Sequence, residues 1–193
     1  MAFVTDSDDS KVTDSRVLAA MAHPLRRRLM DALKVYGPAT ASALADRTDQ
    51  AVANISHHLK VLGAAGLIAE APELARDRRE RWWRLVAPEL RWVTGDFDDD
   101  PARQAVANAA VSLNLDRQVS LVRAWHAVRE ERPAWNGAAF SVDKWLHLTP
   151  AELGELEEEI LAVLDRWEQR TLSGDGQARE PVFLFAHGVP ARP

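Results

Sequence analysis

The chain has 193 residues, 47% hydrophobic and 27% charged, the mix of a soluble globular protein with one large domain or two small ones. It has no cysteine, which excludes disulfides, thiolate metal sites and cysteine nucleophiles, and no apolar run of about 18 residues, which excludes a membrane-spanning helix. The net charge of −5 is uneven: residues 11–90 carry 13 Lys and Arg against 9 Asp and Glu, and residues 91–193 carry 11 against 17.

Residues 1–12 are polar and acidic and read as a flexible tail; they lack the basic start and apolar core of a secretory signal. A helix begins near Thr13 or Asp14, with Val17, Leu18 and Met21 on its apolar face, and stops at His23-Pro24. A second helix starts at Pro24, buries Leu25, Leu29, Met30 and Leu33, and ends at Gly37-Pro38. Thr40 opens a short third helix holding Leu44 and Ala45. After a turn at Arg47-Thr48-Asp49, a fourth runs from about Gln50 to Ala65, with Val52, Ile55, Leu59 and Leu62 on one face. Two strands follow, Leu67–Ala71 and Arg81–Val86, joined by an arginine-bearing loop.

Gly95 to Pro101 marks a boundary, which divides the chain into residues 13–95 and 96–193. Asp100 and Pro101 open a helix with no breaker before Pro133, about 45 Å long. Phe140, Val142, Leu146 and Leu148 alternate with polar residues as in a strand. Thr149-Pro150-Ala151-Glu152 is a capping box for a helix with Leu153, Leu156, Ile160, Leu164 and Trp167 on one side, and residues 181–187 read as a last strand. The fold class is α+β, mostly α: a helical first half closed by a hairpin, then a long helix and a small helix-strand-helix-strand module.

Residues 40–68 carry the strongest signal. The fourth helix buries Ile55, Leu59 and Leu62, while Gln50, Ala53, Asn54, Ser56, His57 and Lys60 lie on or beside the opposite side. Asparagine and glutamine can pair bidentately with adenine, lysine or histidine can donate to guanine, and small residues let a helix sit deep in a groove. An ordinary amphipathic helix shows the same polar face, so the hairpin decides. Arg76, Arg78, Arg79 and Arg81 sit at or beside its tip, where a wing reaches phosphates or a minor groove.

Together these segments resemble the ArsR-type winged helix-turn-helix transcriptional regulators. The resemblance spans about residues 15–90. It rests on Ala22-His23-Pro24-Leu25-Arg26-Arg27-Arg28-Leu29-Met30, on Ser42-Ala43-Leu44-Ala45, on Asn54-Ile55-Ser56-His57-His58-Leu59-Lys60-Val61-Leu62, and on Ala65-Gly66-Leu67-Ile68. It implies a homodimer on double-stranded operator DNA in the bacterial cytoplasm, more often a repressor than an activator. In the reading of the residues, Arg26, Arg28, Arg79 and Arg81 neutralise phosphates. Metal-sensing members use thiolates or clusters of His and acids; this chain has no cysteine and six scattered histidines, so no metal and no other cofactor is expected.

His57 and His58 point about 100° apart and cannot share a metal by themselves; one faces outward and one packs inward. Seven tryptophans stand out. Trp167 and one of Trp82 and Trp83 are expected in cores, whereas Trp125, Trp135 and Trp145 are candidates for an apolar pocket or an intersubunit contact, with any small-molecule effector unknown. The long helix (Val106, Leu113, Val119, Val122, Trp125) and the first helix (Val17, Leu18) are candidate dimer contacts. No catalytic motif is present, so an enzyme is not expected. A winged helix that binds protein rather than DNA is the alternative.

Overall fold

A computed structural model describes residues 14–77, 79–87, 100–171 and 174–192. Asp14 caps α1 (Ser15–Met21), its carboxylate accepting from the Arg16 N–H at 2.8 Å. His23-Pro24 then breaks the chain, and His23 itself caps α2 (Pro24–Tyr36). Gly37 ends α2 at φ 75°, backbone that a side chain would strain. After β1 (Ala39–Thr40) come α3 (Ala41–Thr48) and α4 (Val52–Ala64), then β2 (Ile68–Glu70) and β3 (Trp82–Leu85).

The sheet has the order β1-β3-β2 and is antiparallel throughout, pairing Thr40 with Trp82, Ala39 with Trp83 and Ile68 with Leu85. The two expected strands are therefore present as a hairpin. β1 has no signal in the sequence, since two residues are too few for an alternation to register.

One apolar cluster holds this unit together: Leu18 and Met21 of α1, Leu29 and Leu33 of α2, Leu44 of α3, and Ile55, Leu59 and Leu62 of α4. Trp83 packs against it from β3. Gly63 makes room for that ring: a Cβ there would lie 3.2 Å from the indole.

Asp100 caps the long helix as expected, its carboxylate accepting from the Ala102 N–H at 2.8 Å. The helix is α5 (Pro101–Val128), followed by a 3-10 turn at Arg129–Glu131 and a single turn, α6 (Pro133–Asn136). Ala107 and Ala110 of α5 are buried in the cluster just described. Two polar contacts fasten the same stretch to α2. The Arg117 guanidinium grips the Asp31 carboxylate with two hydrogen bonds of 2.6 Å, and Arg27 donates to the Asn114 Oδ1 at 2.8 Å. The first compact unit extends to Ser120, inside α5.

The second unit starts at Leu121. Its best-defined element is α7 (Pro150–Gln169), opened by the capping box at Thr149 and Glu152. The expected strands at 140–148 and 181–187 do not form: both segments lack regular secondary structure. Alternation gives a segment two faces, but a strand also needs a ladder partner. The C-terminal segment instead passes over α7, so closely that a Cβ at Gly188 would come within 2.8 Å of the Leu153 side chain. Trp167, expected in a core, lies exposed on α7. Among the described residues of this unit none is buried, and no described helix of the chain is long and apolar enough to cross a membrane.

Candidate nucleic-acid interface

The turn between α3 and α4 is built from three local choices. Thr48 is buried and returns its hydroxyl to the Leu44 carbonyl at 2.6 Å. Asp49 takes left-handed backbone, φ 54° and ψ 52°, which Asp tolerates better than most side chains. Arg28 reaches from α2 and donates to the Thr48 carbonyl at 2.9 Å. The reversal aims α4 away from α3 with one side still in the core.

That division of α4 follows the sequence reading except at Val52, expected on the apolar face but exposed in the first turn, ahead of the point where the helix enters the core. Ile55, His58, Leu59 and Leu62 are buried, while Ala53, Asn54, His57 and Lys60 are exposed and Ser56 is half-buried. His57 thus faces outward and His58 inward. Gln50 and Asn54 are joined, the Asn54 amide donating to the Gln50 Oε1 at 3.2 Å, and Gln50 is anchored on the Asp49 carbonyl at 2.8 Å. Two carboxamides are thereby held side by side at the exposed start of the helix. No side chain caps α4 at Ala51, which leaves its first turn open to an acceptor from outside.

The loop between β2 and β3 is ordered by its own acids. The Asp77 carboxylate accepts from the Arg79 and Glu80 N–H groups at 2.7 and 3.1 Å, and the Glu80 carboxylate accepts from the Arg76 N–H at 2.9 Å. Arg76 and Arg79 are exposed. Arg81 is shared with Glu70 at 3.4 Å, and Arg84 with Glu73 at 2.6 Å. Arg78 lies outside the described residues, as does Trp92.

Two arginines expected on phosphates have internal partners. Arg28 holds the turn, as described. Arg26 is half-buried and donates to the Ala20 carbonyl and, at 3.0 Å, to the Ala19 carbonyl, closing the C-terminal end of α1. Placement at the start of α2 puts its guanidinium beside those carbonyls, and burial pulls its pKa down.

The tryptophan candidates do not converge in the same way. Trp125 and Trp135 are half-buried, Trp135 donating from Nε1 to Glu180 at 3.1 Å, whereas Trp145 is 65% exposed. Trp145 therefore faces solvent rather than an enclosed space. His147 and His187 are also exposed. Among the described residues no group of three or more His, Asp or Glu is placed to hold a metal ion.

Residues 21–71 match the sequence model of a family described as a helix-turn-helix domain. This segment is a helix-turn-helix domain. It contains α2, α3, the turn and α4, and the β2–β3 hairpin that follows makes it winged. No curated protein matches the chain. Among solved structures it is similar to the homodimeric winged helix-turn-helix DNA-binding domain of a possible ArsR-family transcriptional regulator from Mycobacterium bovis. That likeness has 21% identity over 67% of this chain and 95% of the other, with a TM-score of 0.34. A transcriptional regulator from Thermotoga maritima is similar at 13% identity, covering 77% of this chain and 80% of the other, with a TM-score of 0.31.

Two features of the helix-turn-helix domain were not legible in the sequence. One is the use of Arg26, Arg27 and Arg28 as three separate internal ties. The other is a contact between His23 and His58, whose rings lie 4.5 Å apart. The His-Pro pair that starts α2 was visible; its partner 35 residues later was not.

Proposed function

We propose that the chain is a sequence-specific DNA-binding transcriptional regulator acting in the cytoplasm as a homodimer, a repressor of ArsR type that uses neither thiolate metal sensing nor catalysis. The observation that carries it is the split of α4. Its buried side is fixed in the core, and Gln50, Ala53, Asn54, Ser56, His57 and Lys60 line the outward side with donors and acceptors suited to base edges. Arg76 and Arg79 are exposed at the hairpin tip with Arg81 beside them, and in this reading they bind phosphates.

Dimerisation follows from the reading. One winged helix covers one half-site, and a two-fold partner must stand about 34 Å away. A second copy is also the occupant that fits the second unit. Phe140, Trp145, Trp167 and Phe183, with Val142, Leu146, Val182 and Val189, are all exposed. A second copy would take these side chains out of water, as partners do in a stable interface.

The test is binding of the full chain to duplex DNA from upstream of its own gene and to random duplex, each over a salt series. The expected result is tighter binding to the upstream duplex and a steep loss of affinity for both as salt rises. Equal or absent binding to both duplexes at low salt would overturn the reading. A protein-binding winged helix is the second reading; the pairing of Arg81 with Glu70 and of Arg84 with Glu73 favours it by cancelling part of the wing's charge.

A further inference from the structure

His23 does two things at once. Its Nδ1 accepts from the Leu25 N–H at 3.2 Å, capping α2, and its ring lies against that of His58 on α4, centroids 4.5 Å apart and tilted by 44°. His58 is 7% exposed, and its Nδ1 is buried with no hydrogen-bond partner. His57 meets His58 edge to face at 5.3 Å. The α1–α2 elbow thus rests on the middle of the recognition helix through two imidazoles.

The surroundings suit neutral rings only. The titratable and charged groups facing the pair are Arg26 on α2 and His57 on α4, and neither can neutralise an imidazolium. α1 contributes the carbonyls of Ala19 and Ala20, which already hold Arg26. A proton on the His23 Nδ1 would also remove the acceptor that caps α2, because a protonated imidazole has only donors. Burial, then Arg26, holds His23 below the ordinary imidazole value of 6.5. Burial, then His23, Arg26 and His57, does the same to His58.

We propose that His23 and His58 form a proton-sensitive seat for the recognition helix: neutral, they lock α4 against the α1–α2 elbow, and charged, they release it. They are positioning residues, and the DNA half of the inference rests on the function proposed above. The unfolded chain takes up protons before the folded one does. The seat's stabilisation is therefore complete above about pH 6.5 and is lost as pH falls through the depressed folded values. Exposed His57 lies on the proposed DNA face and is left unchanged in every variant.

The experiment compares the full chain with H23N, whose amide can still cap α2, with H58F, and with the double variant, at pH 7.5 and 5.5. Thermal melting is followed by circular dichroism, and affinity by titration into the upstream duplex. The expected result is a fall of about 3–6 °C in the melting temperature of the unmodified chain, much reduced in the double variant, with affinity falling about tenfold in the former only. Parallel pH responses in all four proteins overturn the seat. A seat-dependent melting shift with unchanged affinity for the duplex overturns its coupling to α4. Failure to bind duplex at pH 7.5 removes the DNA reading but leaves the melting arm to decide the seat. Should the double variant not fold, the NMR titration of the His58 ring in the unmodified chain decides. A midpoint below the ordinary imidazole value of 6.5 and coincident with the melting change supports the seat, and a midpoint at or above 6.5 overturns the seat.

Discussion

At the scale of single residues, the side chains of α4 and those of the wing should fail in different ways. Asn54 is oriented by its bond from Nδ2 to Gln50, which leaves its carbonyl oxygen and its other N–H for a base edge. Asn54→Ala or His57→Ala should cost about 1–3 kcal/mol on the preferred duplex and much less on random DNA, narrowing the gap between them. Arg79→Ala should weaken binding to both alike and reduce the salt slope by about one unit, because a phosphate contact carries no sequence information. Competition titrations at three salt concentrations separate the two patterns, and the same pattern for both variants would sink the assignment of roles. Asp49 allows a check on the turn itself without DNA. Its φ of 54° is left-handed, so Asp49→Gly should leave stability unchanged or slightly raised, whereas Asp49→Val should lower it by about 1–2 kcal/mol. Urea denaturation of both variants measures this.

At the scale of elements, α4 and the wing are coupled through one close approach. Gly63 sits on the core side of α4, where a Cβ would press on the Trp83 ring at 3.2 Å. Gly63→Val should destabilise by about 1–3 kcal/mol through overpacking, in spite of glycine's poor helix propensity, and should displace the hairpin relative to α4. A valine variant as stable as the parent would show that the ring can yield. The four helices and the hairpin of the first unit were legible because each carries its own periodicity and its own stop: His23-Pro24, Gly37-Pro38, Gly66. The outward face of α4 was legible for the same reason, since burial of Ile55, Leu59 and Leu62 leaves only one side for Asn54 and Lys60. The arginines were not. Arg26, Arg27 and Arg28 are equivalent in composition, and only the packing of α1, α5 and the turn shows that each has an internal partner. The second unit's strands were misread because alternation alone does not supply a neighbour.

At the scale of the whole molecule, the two units differ in how far each is complete. The first encloses a core drawn from five helices and the sheet, and its last helix is held by Ala107, Ala110 and the Asp31–Arg117 pair. Asp31→Asn should lower its stability by about 1 kcal/mol, and less at high salt, since the pair is only partly shielded from water. The second unit encloses nothing of the kind among its described residues, yet Phe140 is 74% exposed and Trp145 65% exposed. Under the proposed dimer, this contrast separates a side chain that stabilises the chain from one that stabilises the assembly. Where a residue is already exposed in the isolated chain, replacing it should change monomer stability by no more than about 0.5 kcal/mol. At an interface centre, loss of a large aromatic costs about 2 kcal/mol or more. The pair Phe140→Ser and Trp145→Ser should therefore leave helicity and monomer unfolding intact while raising the dimer dissociation constant by at least tenfold in sedimentation equilibrium. Binding to a duplex with two half-sites should then lose its advantage over a single half-site, because the second winged helix is no longer delivered with the first. If the substituted chain still sediments as the parent does and keeps that advantage, these aromatic side chains do not hold the copies together, and α5 is left as the surface to test, since Leu18 of α1 is buried in the core.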